Sequence, residues 1–564
     1  MKSCYLAIIA LWCGVFFVPD TRADANDAAA TPLTLEEIVT LKRVRTARLS
    51  PNGDAIAYLL TVPRALYEDE DGDAWVQLQV VDLEGVSRPY FTGKVDVSEV
   101  AWSHDGNDLF FVARRDPDAP HRDIWRMPLD GGDAVLVHEA QGDIDAIYPS
   151  PDGTRLAFLA TDPDPAEKEE LADLGFKALV YEESKRDVRV WMLDLESSTV
   201  TARELSGSAS EFAWAPDGRQ YAVALAPTPL VDDDYISRDI FVIDAETASV
   251  INPLGSVGKL GGFAWSPDGT RIAYIAGEDI HDPSPGRLYV SSRGGGERNE
   301  LVPGYDGQVE SFYWVDDGRI AYLGSRGVLT EFTTVSLDRP AAPAEAPPQG
   351  PVLRSLHSMP GQRIAAAVAD TPGHPPEVYL LTQGGEPRRL TDSNPILGER
   401  VLARQEAITY RARDGLELDA VVIHPTTPPP EGGSPLIVFA HGGPEGHYSN
   451  GWMSTYSRPG QALAGQGYAV VYPNYRGSTG RGVTFSKMGQ HAYAGPEFDD
   501  LVDAKQHLVE AGLADPDRTG ISGGSYGGYA SMWAASALTE HFAAAVAFVG
   551  ISNQLSKFGT GDIP

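Results

Sequence analysis

The sequence contains little cysteine, little positive charge and only one long apolar run. Its 564 residues include two cysteines, Cys4 and Cys13, both within the first thirteen positions. A disulfide framework is therefore excluded for the rest of the chain. Lysine and arginine number 45 against 79 aspartate and glutamate residues, which gives a net charge of −34. Such a surface repels phosphate backbones and anionic lipid, so we expect no nucleic-acid partner, and solubility is the plain interpretation of the charge.

The apolar run stands at the N-terminus and is typical of a secretory signal peptide. Lys2 supplies the positive charge, the run covers residues 5–18, and small residues follow as far as Ala25. The run is too short to span a membrane comfortably. We therefore expect a signal peptide over residues 1–25, export to the periplasm or out of the cell, and no membrane segment after cleavage. An uncleaved anchor is the alternative, whereas a lipoprotein is disfavoured because Trp12 stands where a small residue should precede the cysteine.

A turn motif close to Ser-Pro-Asp-Gly recurs seven times, and an apolar strand follows each copy. Proline presets φ at the first corner, the aspartate side chain caps the turn, and glycine accepts the positive φ that follows. After each turn we expect an alternating, half-buried strand, as at Ile56 and Tyr58. The turn glycines are Gly53, Gly106, Gly153, Gly218, Gly269, Gly318 and Gly361.

The spacing of these glycines, 43 to 65 residues, is what a four-stranded propeller blade requires. We therefore predict a seven-bladed β-propeller over residues 45–395, since seven unrelated hairpins would not fall into register. The widest gap holds a charged insertion at 162–187, which should be helical in its first half and project from its blade. Tryptophans precede four of the turns and should pack between neighbouring sheets. They are Trp102, Trp214, Trp265 and Trp314.

From about residue 400 the pattern changes to alternating strands and helices. This alternation is typical of a parallel sheet covered by helices on both faces. Buried strands are predicted at 436–440, 468–472, 519–522 and 543–549, and helices at 459–464, 497–511 and 530–538.

The segment Gly523-Gly524-Ser525-Tyr526-Gly527 fits the pattern G-x-S-x-G between a predicted strand and a predicted helix. Glycines flank the serine because the chain must turn sharply there. The turn presents the hydroxyl at the carboxyl edge of the sheet, where the helix N-terminus favours developing negative charge. We predict Ser525 to be the nucleophile of a serine hydrolase, and an ordinary turn serine is the alternative.

A tetrahedral intermediate requires two hydrogen-bond donors for its oxyanion. The amide of Tyr526 is the first, and we expect the amide of Gly443, in the His-Gly-Gly loop after strand 436–440, to be the second. A structural glycine turn is the alternative for Gly443. His441 is not expected to be the general base, which follows the serine in the chain of this fold, and should instead brace the loop. No metal or cofactor motif appears, and the chemistry needs none.

On these residues the chain resembles the prolyl oligopeptidase family of serine peptidases, especially its bacterial acylaminoacyl-peptidase and dipeptidyl-aminopeptidase branch. The resemblance implies a propeller that restricts access to short peptides, an α/β-hydrolase domain over residues 400–564, and an active site in the cavity between them. It also implies Ser525 as nucleophile, Tyr526 and Gly443 as oxyanion donors, and release of dipeptides or acylated amino acids from the N-terminus of a substrate. The strings that carry it are HGGPEGHYSNGW from His441, YPNYRGSTGRG from Tyr472, GPEFDDLVDA from Gly495 and GISGGSYGGYAS from Gly520.

One acidic pair invites comparison with the paired glutamates that hold a substrate's free amine in dipeptidyl peptidases. Glu182 and Glu183 form this pair within the charged insertion. A carboxylate pair suits an ammonium group. However, the pair runs into a strand of its own blade, so a solvated insertion is the competing interpretation.

The chain also departs from the family pattern, in which an Asp and then a His follow the serine. Only 39 residues follow Ser525, and neither His541 nor Asp562 is placed to act. We therefore expect a catalytic domain that is incomplete at its C-terminus, an uncovered apolar sheet edge, and little or no activity from these 564 residues. A serine peptidase cut short by an incomplete gene or frameshift is the favoured hypothesis. An esterase on the same fold and a non-catalytic propeller binding protein are the alternatives.

Overall fold

The structure is a computed structural model that describes residues 30–116, 119–178, 182, 185–256, 258–339 and 349–561. The signal peptide predicted over residues 1–25, Glu183 and Asp562 lie outside the described residues. In the part of the chain that the structure describes, no helix has the length and apolar character needed to cross a membrane.

The first described elements pack on the C-terminal domain rather than on the propeller. Strand β1 (Thr31–Pro32) pairs in parallel with residues 400–401. Helix α1 (Leu35–Thr40) follows and begins with a capping box. The Thr34 hydroxyl accepts a hydrogen bond from the Glu37 amide, and the Glu37 carboxylate accepts one from the Thr34 amide. Ile38 packs in a cluster with Leu397, Trp452 and Ala462.

Residues 43–389 form seven blades of three or four antiparallel strands, the predicted propeller blades, and a single parallel bridge between Val76 and Asp96 joins the first two blades into one sheet. The first strands of successive blades contact one another in a closed ring, which ends where the seventh blade meets the first. Blade one consists of β2 (Arg43–Leu49), β3 (Ala55–Val62), β4 (Trp75–Asp82) and β5 (Ser87–Phe91). Blade two consists of β6 (Asp96–Trp102), β7 (Asp108–Arg114), β8 (Asp123–Pro128) and β9 (Val135–His138). Blade three consists of β10 (Ile144–Pro149), β11 (Arg155–Thr161), β12 (Val188–Asp194) and β13 (Val200–Ala202), with α2 (Ala166–Asp173) between β11 and β12. Blade four consists of β14 (Ser208–Trp214), β15 (Gln220–Ala226), β16 (Asp239–Asp244) and β17 (Val250–Pro253), with α3 (Val231–Ile236) between β15 and β16. Blade five consists of β18 (Leu260–Trp265), β19 (Arg271–Ala276), β20 (Arg287–Ser292) and β21 (Asn299–Glu300). Blade six consists of β22 (Gln308–Asp316), β23 (Arg319–Arg326) and β24 (Leu329–Ser336). Blade seven consists of β25 (Val352–His357), β26 (Ile364–Thr371), β27 (His374–Thr382) and β28 (Arg388–Arg389).

The four tryptophans pack between neighbouring blades, as predicted. Each indole N–H donates to a backbone carbonyl in the first strand of the preceding blade, which satisfies the polar atom while the ring fills the gap between sheets. The pairs are Trp102 with Arg48 (2.8 Å), Trp214 with Tyr148 (2.9 Å), Trp265 with Ala213 (3.1 Å) and Trp314 with Ala264 (3.0 Å). The helix predicted in the insertion at 162–187 is α2.

The prediction of half-buried strands after the turns was wrong. In β3, Ile56, Ala57 and Tyr58 are all buried. The reason is that both faces of the strand are covered: Ile56 and Tyr58 pack against blade seven, while Ala57 packs against blade two. The turn itself follows the prediction in six copies, but Gly318 does not adopt a positive φ, because its hairpin is tighter and its amide bonds the Asp316 carboxylate.

The C-terminal domain is built on a six-stranded sheet in the order β30-β31-β33-β32-β34-β35. The last four strands of that order are parallel, as predicted, whereas β30 and β31 form an antiparallel hairpin on the edge. The elements are β29 (Arg400–Val401), β30 (Gln405–Arg411), β31 (Glu417–Ile423), β32 (Ser434–Ala440), α4 (Gly460–Gly465), β33 (Ala469–Asn474), α5 (Gly482–Ser486), α6 (Pro496–Glu510), β34 (Ala514–Gly524), α7 (Tyr526–Ala537), β35 (Ala544–Phe548) and α8 (Gln554–Thr560). Two short 3₁₀ helices lie at Pro395–Glu399 and Lys487–Gly489.

The strand predicted to be buried at 543–549 is exposed, so that prediction was wrong. Strand β35 forms the edge of the sheet, and Val546 in it is 54% exposed. Among the described residues no strand pairs with its outer side. Within the described residues this apolar edge is uncovered.

A hairpin of blade six inserts into the C-terminal domain. Val328, at the tip between β23 and β24, is buried in a cluster with Val421, Phe439 and Tyr472 of that domain. On either side, the Gly327 amide donates to the Gly480 carbonyl, and the Val328 carbonyl accepts from the Asn450 amide, both at 2.7 Å. This tip anchors the propeller to the sheet that carries the predicted nucleophile.

Candidate active site

Ser525 occupies a strained turn between a strand and a helix. Strand β34 ends at Gly524, Ser525 has φ 55° and ψ −118°, and α7 begins at Tyr526. A positive φ is costly for a residue with a side chain and persists only when surrounding contacts enforce it. Here the Ser525 amide donates to the Phe548 carbonyl at 3.0 Å, while the side chain is exposed. The turn therefore presents the hydroxyl to solvent, as predicted for a nucleophile elbow.

Close backbone contacts explain two of the glycines around Ser525. A Cβ on Gly523 would lie 2.5 Å from the Ala440 carbonyl oxygen, and one on Gly527 would lie 2.1 Å from the same atom. No side chain fits at these distances. Gly524 is different, because its Cβ would meet nothing closer than 3.9 Å. The clash predicted two residues from the serine is thus confirmed on both sides.

The loop after β32 lies against the elbow. Strands β32 and β34 are parallel neighbours with Ala440 opposite Gly523, so residues 441–447, which we call the oxyanion loop, begin beside the serine. A Cβ on Gly442 would lie 3.3 Å from the Ser525 Cβ. The next residue, Gly443, has φ 122°, and its Cβ would lie 2.3 Å from the Glu445 nitrogen, so only glycine fits. The oxyanion roles of the Gly443 and Tyr526 amides remain predictions.

His441 braces this loop, as expected. One ring nitrogen lies 2.8 Å from the Ser478 hydroxyl and the other lies 2.8 Å from the Gly442 carbonyl oxygen. The ring stacks on Tyr475, with centroids 4.2 Å apart. Burial lowers the pKa of His441 to about 4, so the imidazole is neutral at physiological pH. The two nitrogens are thus engaged by Ser478 and Gly442 rather than directed at Ser525.

Tyr526 is held by the buried carboxylate of Glu497, a contact that was not predicted from the sequence. Its hydroxyl donates to Glu497 Oε1 at 2.8 Å, and Glu497 Oε2 accepts from the Gly495 amide at 3.0 Å. Burial and the adjacent Glu497 charge raise the pKa of Tyr526 far above its ordinary value, so the phenol remains a donor. Gly495 and Glu497 begin the GPEFDD string at the N-terminus of α6, which is the signal that could have identified this contact.

No general base contacts Ser525 in the part of the chain that the structure describes. Among these residues the Ser525 hydroxyl has no hydrogen-bonding partner. His541 does not reach it, and its Nε2 lies 3.5 Å from Glu540 Oε1. Glu182 is exposed in its insertion, and no described hydrogen bond or ion pair joins it to the C-terminal domain. The described residues also contain no group of three or more His, Cys, Asp or Glu side chains arranged to hold a metal ion. The site therefore combines a presented hydroxyl with two candidate oxyanion amides.

Comparisons with known proteins agree with this geometry. Residues 454–564 match the model described as the prolyl oligopeptidase family. The chain is 25% identical to the uncharacterized peptidase YuxL of Bacillus subtilis over 94% of its length and 84% of that protein. It is 24% identical to dipeptidyl-peptidase 5 of Porphyromonas gingivalis, covering 94% of this chain and 80% of that protein. The acylaminoacyl peptidase of Pyrococcus horikoshii superposes with a TM-score of 0.76 at 21% identity, over 94% of this chain and 81% of that structure. The predicted combination of a propeller with an α/β-hydrolase domain is confirmed.

Proposed function

We propose that this chain is a serine peptidase of the prolyl oligopeptidase family and hydrolyses short peptides through an acyl-enzyme on Ser525. The strained turn at Ser525 carries the proposal, because such a conformation is retained where the presented hydroxyl has a function. Attack by Oγ on a peptide carbonyl forms the new C–O bond, and the oxyanion accepts hydrogen bonds from the Tyr526 and Gly443 amides. With no base among the described residues, solvent water takes the Oγ proton and protonates the nitrogen as the C–N bond breaks and the amine leaves; a second water then attacks the acyl-enzyme, releases the acid and restores the hydroxyl.

We place the enzyme among exopeptidases that release dipeptides or acylated amino acids. Similarity to a dipeptidyl-peptidase 5 in sequence and to an acylaminoacyl peptidase in structure supports this specificity. The position of the propeller agrees with it as well, because Ser284 of blade five bonds the loop beside Ser525 and a domain held there would hinder long chains. We also propose export to the periplasm or beyond, supported by residues 1–25. N-terminal sequencing of the mature protein tests that proposal, and an intact Met1 would contradict it.

We further infer that the 564 residues turn substrate over slowly. The Ser525 hydroxyl has no hydrogen-bonding partner among the described residues, so none of them is placed to take its proton. Oxyanion stabilisation and binding alone sustain a residual acceleration of roughly 10³–10⁴ over water, far below that of an intact triad.

The test is a comparison of the 564-residue protein with Ser525→Ala on three substrate classes. These are dipeptidyl p-nitroanilides, N-acyl-aminoacyl p-nitroanilides and p-nitrophenyl esters, with mass-spectrometric detection of Ser525 labelling by a fluorophosphonate. We expect slow amide cleavage and labelling, both abolished in the alanine variant. Ester cleavage without amide cleavage would identify an esterase instead. Equal rates for the two proteins on all substrates would contradict any role of Ser525.

A further inference from the structure

A single carboxylate joins the oxyanion loop to the propeller. Glu445 lies two residues after Gly443, and its side chain crosses to blade five. There it forms an ion pair with Lys259, just before β18, and its Oε1 accepts a hydrogen bond from the Ser284 amide at 3.0 Å. Among the described residues, no other hydrogen bond or ion pair connects loop 441–447 to the propeller.

Lys259 is held firmly enough to act as a fixed partner. Its ammonium also contacts Asp282 at 2.9 Å and donates to the Tyr235 hydroxyl at 2.7 Å. Burial alone would lower the pKa of Lys259, but the hydrogen bonds to Glu445 and Tyr235 outweigh it and raise that pKa above its ordinary value. The Lys259 and Glu445 side chains are 18% and 21% exposed. An ion pair shielded in this way retains more of its attraction than one on the open surface.

The backbone transmits the position of Glu445 to the oxyanion amide. The chain between Gly443 and Glu445 is folded so tightly that a Cβ on Gly443 would lie 2.3 Å from the Glu445 nitrogen. On its other side, the loop is tied to the C-terminal domain, where the Thr479 amide donates to the Gly446 carbonyl at 3.0 Å. A Cβ on Gly446 would in turn lie 3.3 Å from the Gly442 carbonyl oxygen. The loop is thus fixed from both domains, and Glu445 provides the attachment to the propeller.

We propose that Glu445 is a positioning residue: by binding Lys259 and Ser284 of blade five, it holds the oxyanion loop so that the Gly443 amide is correctly placed. In this arrangement the propeller completes the oxyanion site of the catalytic domain. The catalytic consequence rests on the proposed function, whereas the ordering of the loop does not.

A second ion pair across the same interface provides a matched control. Lys487 pairs with Asp279 of blade five at 2.5 Å, and in the described part of the chain neither side chain forms a hydrogen bond or ion pair with loop 441–447. Lys487→Met therefore removes a charge pair between the domains while leaving Glu445 and its partners in place. A general effect of weaker domain docking should appear in this variant, and an effect specific to the loop should not.

The first measurement is amide hydrogen exchange, by mass spectrometry, of peptides that cover residues 441–447. We expect Glu445→Gln and Lys259→Met to accelerate exchange there about tenfold, the usual effect of losing a hydrogen bond to a charged group. Lys259→Arg should restore protection, and Lys487→Met should match the wild type. Unchanged exchange in Glu445→Gln, or equal acceleration in Lys487→Met, would overturn the proposal.

The second measurement is steady-state turnover of the best amide substrate. Displacing one oxyanion donor lowers kcat, so Glu445→Gln and Lys259→Met should lose roughly tenfold in kcat with KM unchanged. A rise in KM with kcat intact would overturn the catalytic part. If the wild type cleaves no peptide, the proposed function fails, but the exchange measurement still decides whether Glu445 orders the loop.

Discussion

Replacing Tyr526 by phenylalanine removes the hydroxyl that donates to Glu497, without changing the ring beside the nucleophile. Glu497 is 2% exposed, and its two oxygens accept only two described hydrogen bonds, from Tyr526 at 2.8 Å and Gly495 at 3.0 Å. Water cannot replace the lost donor at such a site. A hydrogen bond to a charged group contributes about 1.5–3 kcal/mol. We therefore expect Tyr526→Phe to lower the free energy of unfolding of the C-terminal domain by about 3 kcal/mol.

The assay is urea-induced unfolding followed by tryptophan fluorescence. Tyr493→Phe is the control, because that ring also contacts Tyr526 but is 53% exposed, and its change should stay within about 0.5 kcal/mol. Adding Glu497→Leu tests the coupling: the double variant with Tyr526→Phe should be more stable than the sum of the two losses predicts. If Tyr526→Phe unfolds at the same urea concentration as Tyr493→Phe, the buried bond does not contribute as argued.

Three further outcomes are expected. Gly527→Ala places a Cβ 2.1 Å from the Ala440 carbonyl oxygen, so it should lower the free energy of unfolding in urea by about 3 kcal/mol or more. Gly524→Ala should be tolerated, because its Cβ would meet no atom closer than 3.9 Å. Burial and a nearby arginine lower the pKa of His357 to about 3, so the unfolded state gains a proton below pH 6.5 that the folded state does not. Stability should therefore fall by about 2 kcal/mol between pH 8 and pH 5 from this group alone, and His357→Gln should flatten the profile. Val328→Asp buries an unpaired carboxylate between the domains and should let them unfold in separate calorimetric transitions; one unchanged transition would contradict this.

Local signals carried most of what could be predicted from the sequence. The blade turns were predictable because proline, aspartate and glycine act within four residues, and the elbow because its glycines flank Ser525 directly. Trp102 and its counterparts were predictable because they recur at one position of the repeat. Burial of both faces of β3 was not, because the second face is covered by another blade, and alternation in a single strand does not report on that neighbour.

Contacts between distant residues were the part that could not be predicted. Glu445 and Lys259 are 186 positions apart, and each occurs in a sequence rich in other charges, so nothing local pairs them. Tyr526 and Glu497 are 29 positions apart and meet only because α6 and α7 pack on the same sheet. The segment before residue 43 was overlooked because two paired residues and one short helix give almost no periodic signal.

These distant contacts change how the propeller should be regarded. A domain that only filtered substrates would need to cover the active site without fixing any part of it. Here blade six inserts Val328 into the core of the catalytic domain, and blade five binds the oxyanion loop through Glu445. The first contact fixes the position of the propeller, and the second makes a catalytic loop depend on that position. Separation of blade five from the loop, while Val328 stays inserted, would therefore release the Gly443 amide from its position without undocking the propeller.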